Sequence, residues 1–169
     1  MIFFRLLYSW PYNFFKKLNI FLDKKQSKFQ SILIALSGNS NDYKSVQIAK
    51  NLIEKKSGTL TFVHVLEIDL KTPLDAEIKE QTIHGDKILS STFKKYNIEG
   101  YNYKSVLLQA RDAGPAIISE ASNQSAEAII ISKNKNHEQN IFNLSKTTKY
   151  ILGNSECNVL FIQTWIFNQ

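Results

Sequence analysis

Five short apolar runs punctuate the chain: Ser31–Leu36, Thr59–Leu66, Tyr101–Leu107, Ala128–Ser132 and Asn158–Ile162. Each is too short for a helix, and polar or glycine-bearing segments bound them, so they predict buried strands. Between them the spacing lengthens to that of a helix. Asn41–Lys56 places Tyr43, Val46, Ala49, Leu52 and Ile53 on one face and is closed by Ser57-Gly58. After a loop at Asp69–Pro73, Asp75–Tyr96 predicts a long helix with a break near Gly85, and Ile98-Glu99-Gly100 turns into the third strand. Gly114-Pro115 opens a third helix that ends by Gln124, with proline in its tolerated first turn; Asn143–Leu152 reads as the fourth. Strands separated by helices imply parallel pairing with right-handed crossovers, hence an α/β three-layer sandwich. Ligands of such sheets sit at the carboxyl ends of strands near the switch in strand order, which selects the loops Ser37–Asn41, Glu67–Pro73 and Ser132–Phe142.

A different pattern precedes this domain. Phe3, Phe4, Leu7, Trp10, Phe14, Phe15, Leu18, Phe21 and Leu22 recur at three or four residues, while Arg5, Ser9, Asn13, Lys16, Lys17 and Asn19 fall mainly on the other side. Pro11 kinks or divides this amphipathic helix. No run approaches the ~20 apolar residues that span a bilayer, so the segment is expected to lie on something. Charge follows the aromatic block and no small-residue cleavage signature ends it, unlike a secretory signal. The readings that stay open are a helix at a membrane interface, a helix docked on a partner protein, a helix folded onto its own domain, and a targeting peptide or mistaken start. Tyr8, Trp10 and Tyr12 beside a basic face favour the membrane interface among them. Phe3, Phe4, Leu7, Trp10, Phe14, Phe15 and Leu18 are the expected anchors, with Arg5, Lys16 and Lys17 facing headgroups or acidic partner residues. The expected organisation is thus a leader and linker over 1–30, a domain over 31–163 and a tail over 164–169.

Charge sharpens that division. The net +6 is uneven: residues 1–30 hold six basic groups against Asp23 alone, whereas the rest of the chain holds fifteen against fourteen acids. A nearly neutral domain behind a basic, aromatic leader argues against nucleic acid as the partner. Cys157 is the single cysteine, which excludes an intrachain disulfide and any cysteine-based metal cluster.

Ile32-Leu-Ile-Ala-Leu-Ser-Gly38, Leu60-Thr-Phe-Val-His-Val65, Arg111-Asp-Ala-Gly-Pro-Ala-Ile-Ile-Ser-Glu-Ala121, Ala128-Ile-Ile-Ile-Ser132 and Cys157-Asn-Val-Leu-Phe-Ile162 together resemble the successive signatures of the universal stress protein family. The resemblance implies a five-stranded parallel sheet of order 3-2-1-4-5, dimers through the last strand, and nucleotide binding in some members. It also exposes departures. The aspartate of nucleotide-binding members at the end of the first strand corresponds to Ser37, with Gly38 retained, and their three glycines followed by Ser or Thr correspond to Ser132, Lys135, Ser145 and Lys146. A loop without glycine, Ser132–Asn140, keeps its backbone from close approach to a pyrophosphate. The implied cleft, at Ser37, Gly38, Val65, Ser132, Lys133, Lys135, Ser145 and Lys146, therefore reads as vestigial. The three lysines could still draw an anion and Ser145 or Thr147 could donate to it, although a wet lysine surface is the simpler reading.

Other chemistry is thinly represented. His64 falls within a strand, where a satisfied core histidine is expected, and His84 and His137 show no metal-ligand spacing. No GxSxG elbow, GxxxxGK[ST] loop or defensible carboxylate pair occurs. Arg111-Asp112 opens a helix, so Asp112 is expected to cap it or Arg111 to reach a carboxylate. The sequence reading is a noncatalytic accessory or regulatory subunit with no cofactor, held on the cytoplasmic side of a membrane or on a membrane protein complex through residues 1–22, with a homodimer through the last strand. Its alternative is a soluble, dimeric, ATP-binding stress-response protein.

Overall fold

The computed structural model describes residues 28–133 and 144–163. Strands β1 (Ser31–Ala35), β2 (Thr59–Glu67), β3 (Asn102–Ala110), β4 (Ala128–Ser132) and β5 (Asn158–Ile162) form one parallel sheet of order β3-β2-β1-β4-β5. Helices α1 (Asp42–Leu52) and α2 (Lys79–Tyr96) serve one face, α3 (Ala113–Asn123) and α4 (Lys146–Asn154) the other. Side chains alternate across the pleat, so consecutive apolar residues supply both cores. Ile32, Ile34, Leu60, Phe62 and Ile130 pack with Val46 and Leu89, while Leu33, Val63, Ile129 and Ile131 pack with Ile117 and Ile151. Each fully buried isoleucine contributes roughly 1.5–3 kcal/mol by leaving water.

Several element ends differ from the sequence expectation, each for a tertiary reason. Helix α1 stops at Leu52 because Ile53 turns extended and bridges Phe29, burying itself fully. Helix α2 starts at Lys79, since the Gln109 amide draws the carbonyls of Leu74 and Ala76 to the end of β3 at 2.7 and 2.8 Å. The helix runs unbroken through Gly85, where a Cβ would stand 2.5 Å from Leu107 Cδ1; the glycine serves close packing. Helix α4 begins at Lys146, behind a Ser145 cap.

The expected anchors Phe3, Phe4, Arg5, Leu7, Trp10, Phe14, Phe15, Lys16, Lys17 and Leu18, like Lys135 and the tail, lie outside the described residues. Among the described residues no helix is long and apolar enough to cross a membrane.

Candidate functional site

The chain leaves β1 toward β2 on one side and β4 toward β5 on the other, which opens a crevice at their carboxyl ends. A cleft of about 320 Å³ occupies it. Ala35, Val63, Val65, Ile117, Ile131 and Ile151 give it apolar walls; Ser37, Glu67, Ser132, Ser145, Thr147 and Thr148 supply polar groups. A larger hollow of about 500 Å³, beside Asn123 and Asn154 at the carboxyl ends of α3 and α4, lies at the opposite end of the sheet, away from the switch point and from helix N-termini. Volume alone does not choose between them, but the direction of the helices does.

At the β1 corner a carboxylate organises the backbone. Asp42 opens α1 and is only 3% exposed. Its oxygens accept the backbone N–H of Gly38 at 2.7 Å and of Ser37 at 3.2 Å, the Ser37 hydroxyl at 3.3 Å and the Ser132 hydroxyl at 3.4 Å. Gly38, at φ +80°, supplies the left-handed turn that aims both N–H groups inward. Burial raises the carboxyl above its ordinary range, against the pull of those N–H and hydroxyl donors. Beside it, the Asn41 side chain donates to the Lys133 carbonyl, tying α1 to β4. The ammonium of Lys133 is buried with no hydrogen-bond partner among the described residues, unlike the wet lysine expected.

The other end of the cleft is built by α4. Ser145 caps it, its Oγ accepting the Thr148 N–H at 3.1 Å and lying 2.9 Å from the Thr148 hydroxyl. The first-turn N–H groups of the nine-residue helix carry the positive end of its dipole. Lys146 is not among the cleft walls; it pairs with Asp112, which raises the lysine's pKa. Asp112 therefore makes no side-chain cap to α3, and Glu67 replaces it, accepting the Ala113 N–H at 2.8 Å. Arg111 donates to the carbonyls of Asp69 and Ile68 instead of a carboxylate. His64, half-buried, places Nδ1 2.8 Å from the Leu36 carbonyl, the satisfied histidine expected; the carbonyl only accepts, so the proton sits on Nδ1.

Ser37, Val65, Ser132 and Ser145 thus line one cleft, with Gly38 shaping its β1 turn, while Lys146 faces elsewhere. Sequence reasoning missed Asp42 and Glu67. The available signal was an acid in the first helical turn after a short, glycine-bearing strand-to-helix loop.

A doubly wound parallel sheet with its crevice between the first and fourth strands defines a class of α/β domains. Within that class the universal stress protein family model matches residues 28–163, and the chain belongs to this family. Compared by sequence with curated proteins, it has no match. Its fold is similar to the universal stress protein UspA from Lactobacillus plantarum, at 17% identity and a TM-score of 0.64, covering 80% of this chain and 99% of that one. It is similar also to the universal stress protein from Archaeoglobus fulgidus in complex with dAMP, at 18% identity and TM-score 0.56 over 80% and 98% of the two chains. A universal stress protein in complex with cAMP aligns at 13% identity and TM-score 0.59, again over 80% and 98%.

Proposed function

We propose that this chain is a noncatalytic member that binds a small nucleotide in the β1–β4 crevice and signals its occupancy through a change of shape. The observation that carries this reading is the cleft's polarity: apolar walls at Ala35, Val63, Val65 and Ile117 suit a base, and the capped N-terminus of α4 with Ser145 and Thr147 suits a phosphate. At about 320 Å³ it lies near the lower bound, about 300 Å³, of small-molecule sites. That favours a nucleoside monophosphate over a triphosphate, and over the ATP of the sequence alternative. The relatives solved with dAMP and cAMP support the same choice. Ser37 and Ser132 both donate to Asp42, whose buried carboxylate is already held by the Ser37 and Gly38 N–H groups, and Nδ1 of His64 is engaged by the Leu36 carbonyl; polar groups tied into the fold in this way support the noncatalytic reading.

Calorimetric titration of the full chain tests this. AMP or cAMP is expected to bind once per chain in the micromolar range and more tightly than ATP; silence with all three removes the nucleotide reading. Among the described residues β5 is paired on its β4 side, and its free edge supports a homodimer through that strand, readable by sedimentation. A second role, docking of residues 1–22 on an anionic membrane face or membrane protein, draws support from the lysines that surround the start of the described chain, Lys28, Lys50, Lys55 and Lys56.

A further inference from the structure

Two successive backbone N–H groups and two hydroxyls converge at the β1 corner of the cleft, a concavity of the kind that holds anions. The protein fills it with its own carboxylate. We propose that Asp42 is a resident anion that excludes a ligand's phosphate from this corner and turns the corner into a site for a neutral hydrogen-bond donor, such as a sugar hydroxyl or a base amino group.

The N–H groups of Ser37 and Gly38 are spent on Asp42 at 3.2 and 2.7 Å, and with them the donors that a phosphate would need. The hydroxyls of Ser37 and Ser132, both cleft-lining, point their hydrogens at the same carboxylate at 3.3 and 3.4 Å. What remains for a ligand is the lone pairs of those oxygens, and Ser37 Oγ already accepts the Asn39 amide as well. An acceptor backed by buried negative charge attracts a donor and repels an anion. Ser37, two residues past the end of β1, brings no carboxylate to the corner, and α1 delivers one to it five residues later. A nucleotide held here would set its sugar or base toward Ser132 and its phosphate toward Ser145 and Thr147. Asp42 touches no ligand; it is a positioning residue that acts through Ser37 and Ser132.

This orientation rests on the crevice being the ligand site, and the test separates the two. Asp42→Ala in the full chain empties the corner and leaves its N–H groups unmatched. Thermal midpoints are read in sodium formate against sodium chloride of equal ionic strength. Adenosine, AMP and inorganic phosphate are then titrated calorimetrically. The expected result is a saturable rise of the midpoint with formate in D42A and none in the wild type. Adenosine should bind D42A about tenfold more weakly, and inorganic phosphate about tenfold more tightly, than the wild type. A merely structural role lowers the midpoint but gives neither the formate response nor the reversal of preference. Indifference to formate, with both proteins ranking adenosine and phosphate alike, overturns the proposal even where nucleotide binds. Formate rescue in a protein that binds neither adenosine nor AMP keeps the resident anion and sinks the nucleotide reading alone. Should D42A not fold, D42N preserves the shape while its amide opposes the Ser37 and Gly38 donors, and an unchanged ligand ranking there is equally fatal.

Discussion

At the scale of the residue, Asp42 couples the cleft to pH. Its carboxyl is raised above the ordinary value of 3.8, chiefly by burial. Between that value and the higher one of the folded state, the folded chain keeps a proton that the unfolded chain releases. Asp42 therefore contributes stability at the acid end and loses it as pH rises through its folded value. Denaturant unfolding of wild type and D42N across the acid range should show the gap between them moving against the wild type as pH rises. A gap moving the other way means that the four donors outweigh desolvation. Exposed Asp69 has the opposite sign, held low first by the Thr72 hydroxyl and then by the Thr72 and Lys71 N–H groups, but both proteins share it and it cancels. Gly38 offers a second test. At φ +80°, alanine would be strained and its Cβ would meet Ile88 Cδ1 at 2.8 Å. Gly38→Ala should cost about 1–2 kcal/mol, read as a lower denaturation midpoint at unchanged slope. Gly38 was legible from its place after a strand; Asp42 was not, because its importance arises only when the loop curls back over it.

At the scale of the element, α4 is held at its start by one serine. Ser145→Ala removes the acceptor for the Thr148 N–H and should cost about 1 kcal/mol. The same change strips a hydroxyl from the phosphate end of the cleft, so AMP affinity should fall along with stability, whereas adenosine affinity should hardly change. Loss of both affinities in proportion would mean that the helix, not the hydroxyl, was lost. In the sheet, Ile130 is fully buried between β1 and β5; Ile130→Ala should cost about 2–5 kcal/mol, measured by equilibrium unfolding. β4 and β5 were legible to the residue, since a run of apolar residues with polar neighbours has no other comfortable register. The helix ends were not. Ile53 carries on the helical period yet goes to Phe29, and residues 74–78 answer to Gln109 on a strand. A local pattern cannot report a contact made across the sheet.

At the scale of the whole molecule, charge is polarised between the two ends of the sheet. The cleft end mixes acids and bases, with Asp42, Glu67, Asp69 and Asp112 set among Arg111, Lys133 and Lys146. The opposite end, where α1 and α2 finish, holds Glu54, Glu99, Glu127 and Glu156 but a greater number of lysines, several of them gathered around aromatic rings. Lys50 and Lys55 stand 5.5 and 5.7 Å over Tyr101, Lys95 stands 5.5 Å over Tyr96, and Lys50 Nζ donates to the carbonyl of Asn97 at 2.9 Å. The described chain begins there, Phe29 exchanging backbone hydrogen bonds with Leu52 and Glu54 at 3.0 and 2.8 Å. Residues 1–27, with five basic groups against Asp23, therefore join the domain at its most basic end. An anionic bilayer that met both would gain from each lysine near its surface, about 1 kcal/mol apiece, a gain that salt screens. Full-length protein should accordingly co-sediment with vesicles containing anionic lipid at low salt, be released as salt rises, and ignore zwitterionic vesicles. Charge reversal at exposed Lys55, Lys56 and Lys95 should weaken co-sedimentation by about tenfold or more, given that per-lysine contribution, and leave AMP affinity at the far end of the sheet unchanged. Equal recovery in the supernatant with every vesicle would remove lipid as the target and leave the basic end to a protein partner.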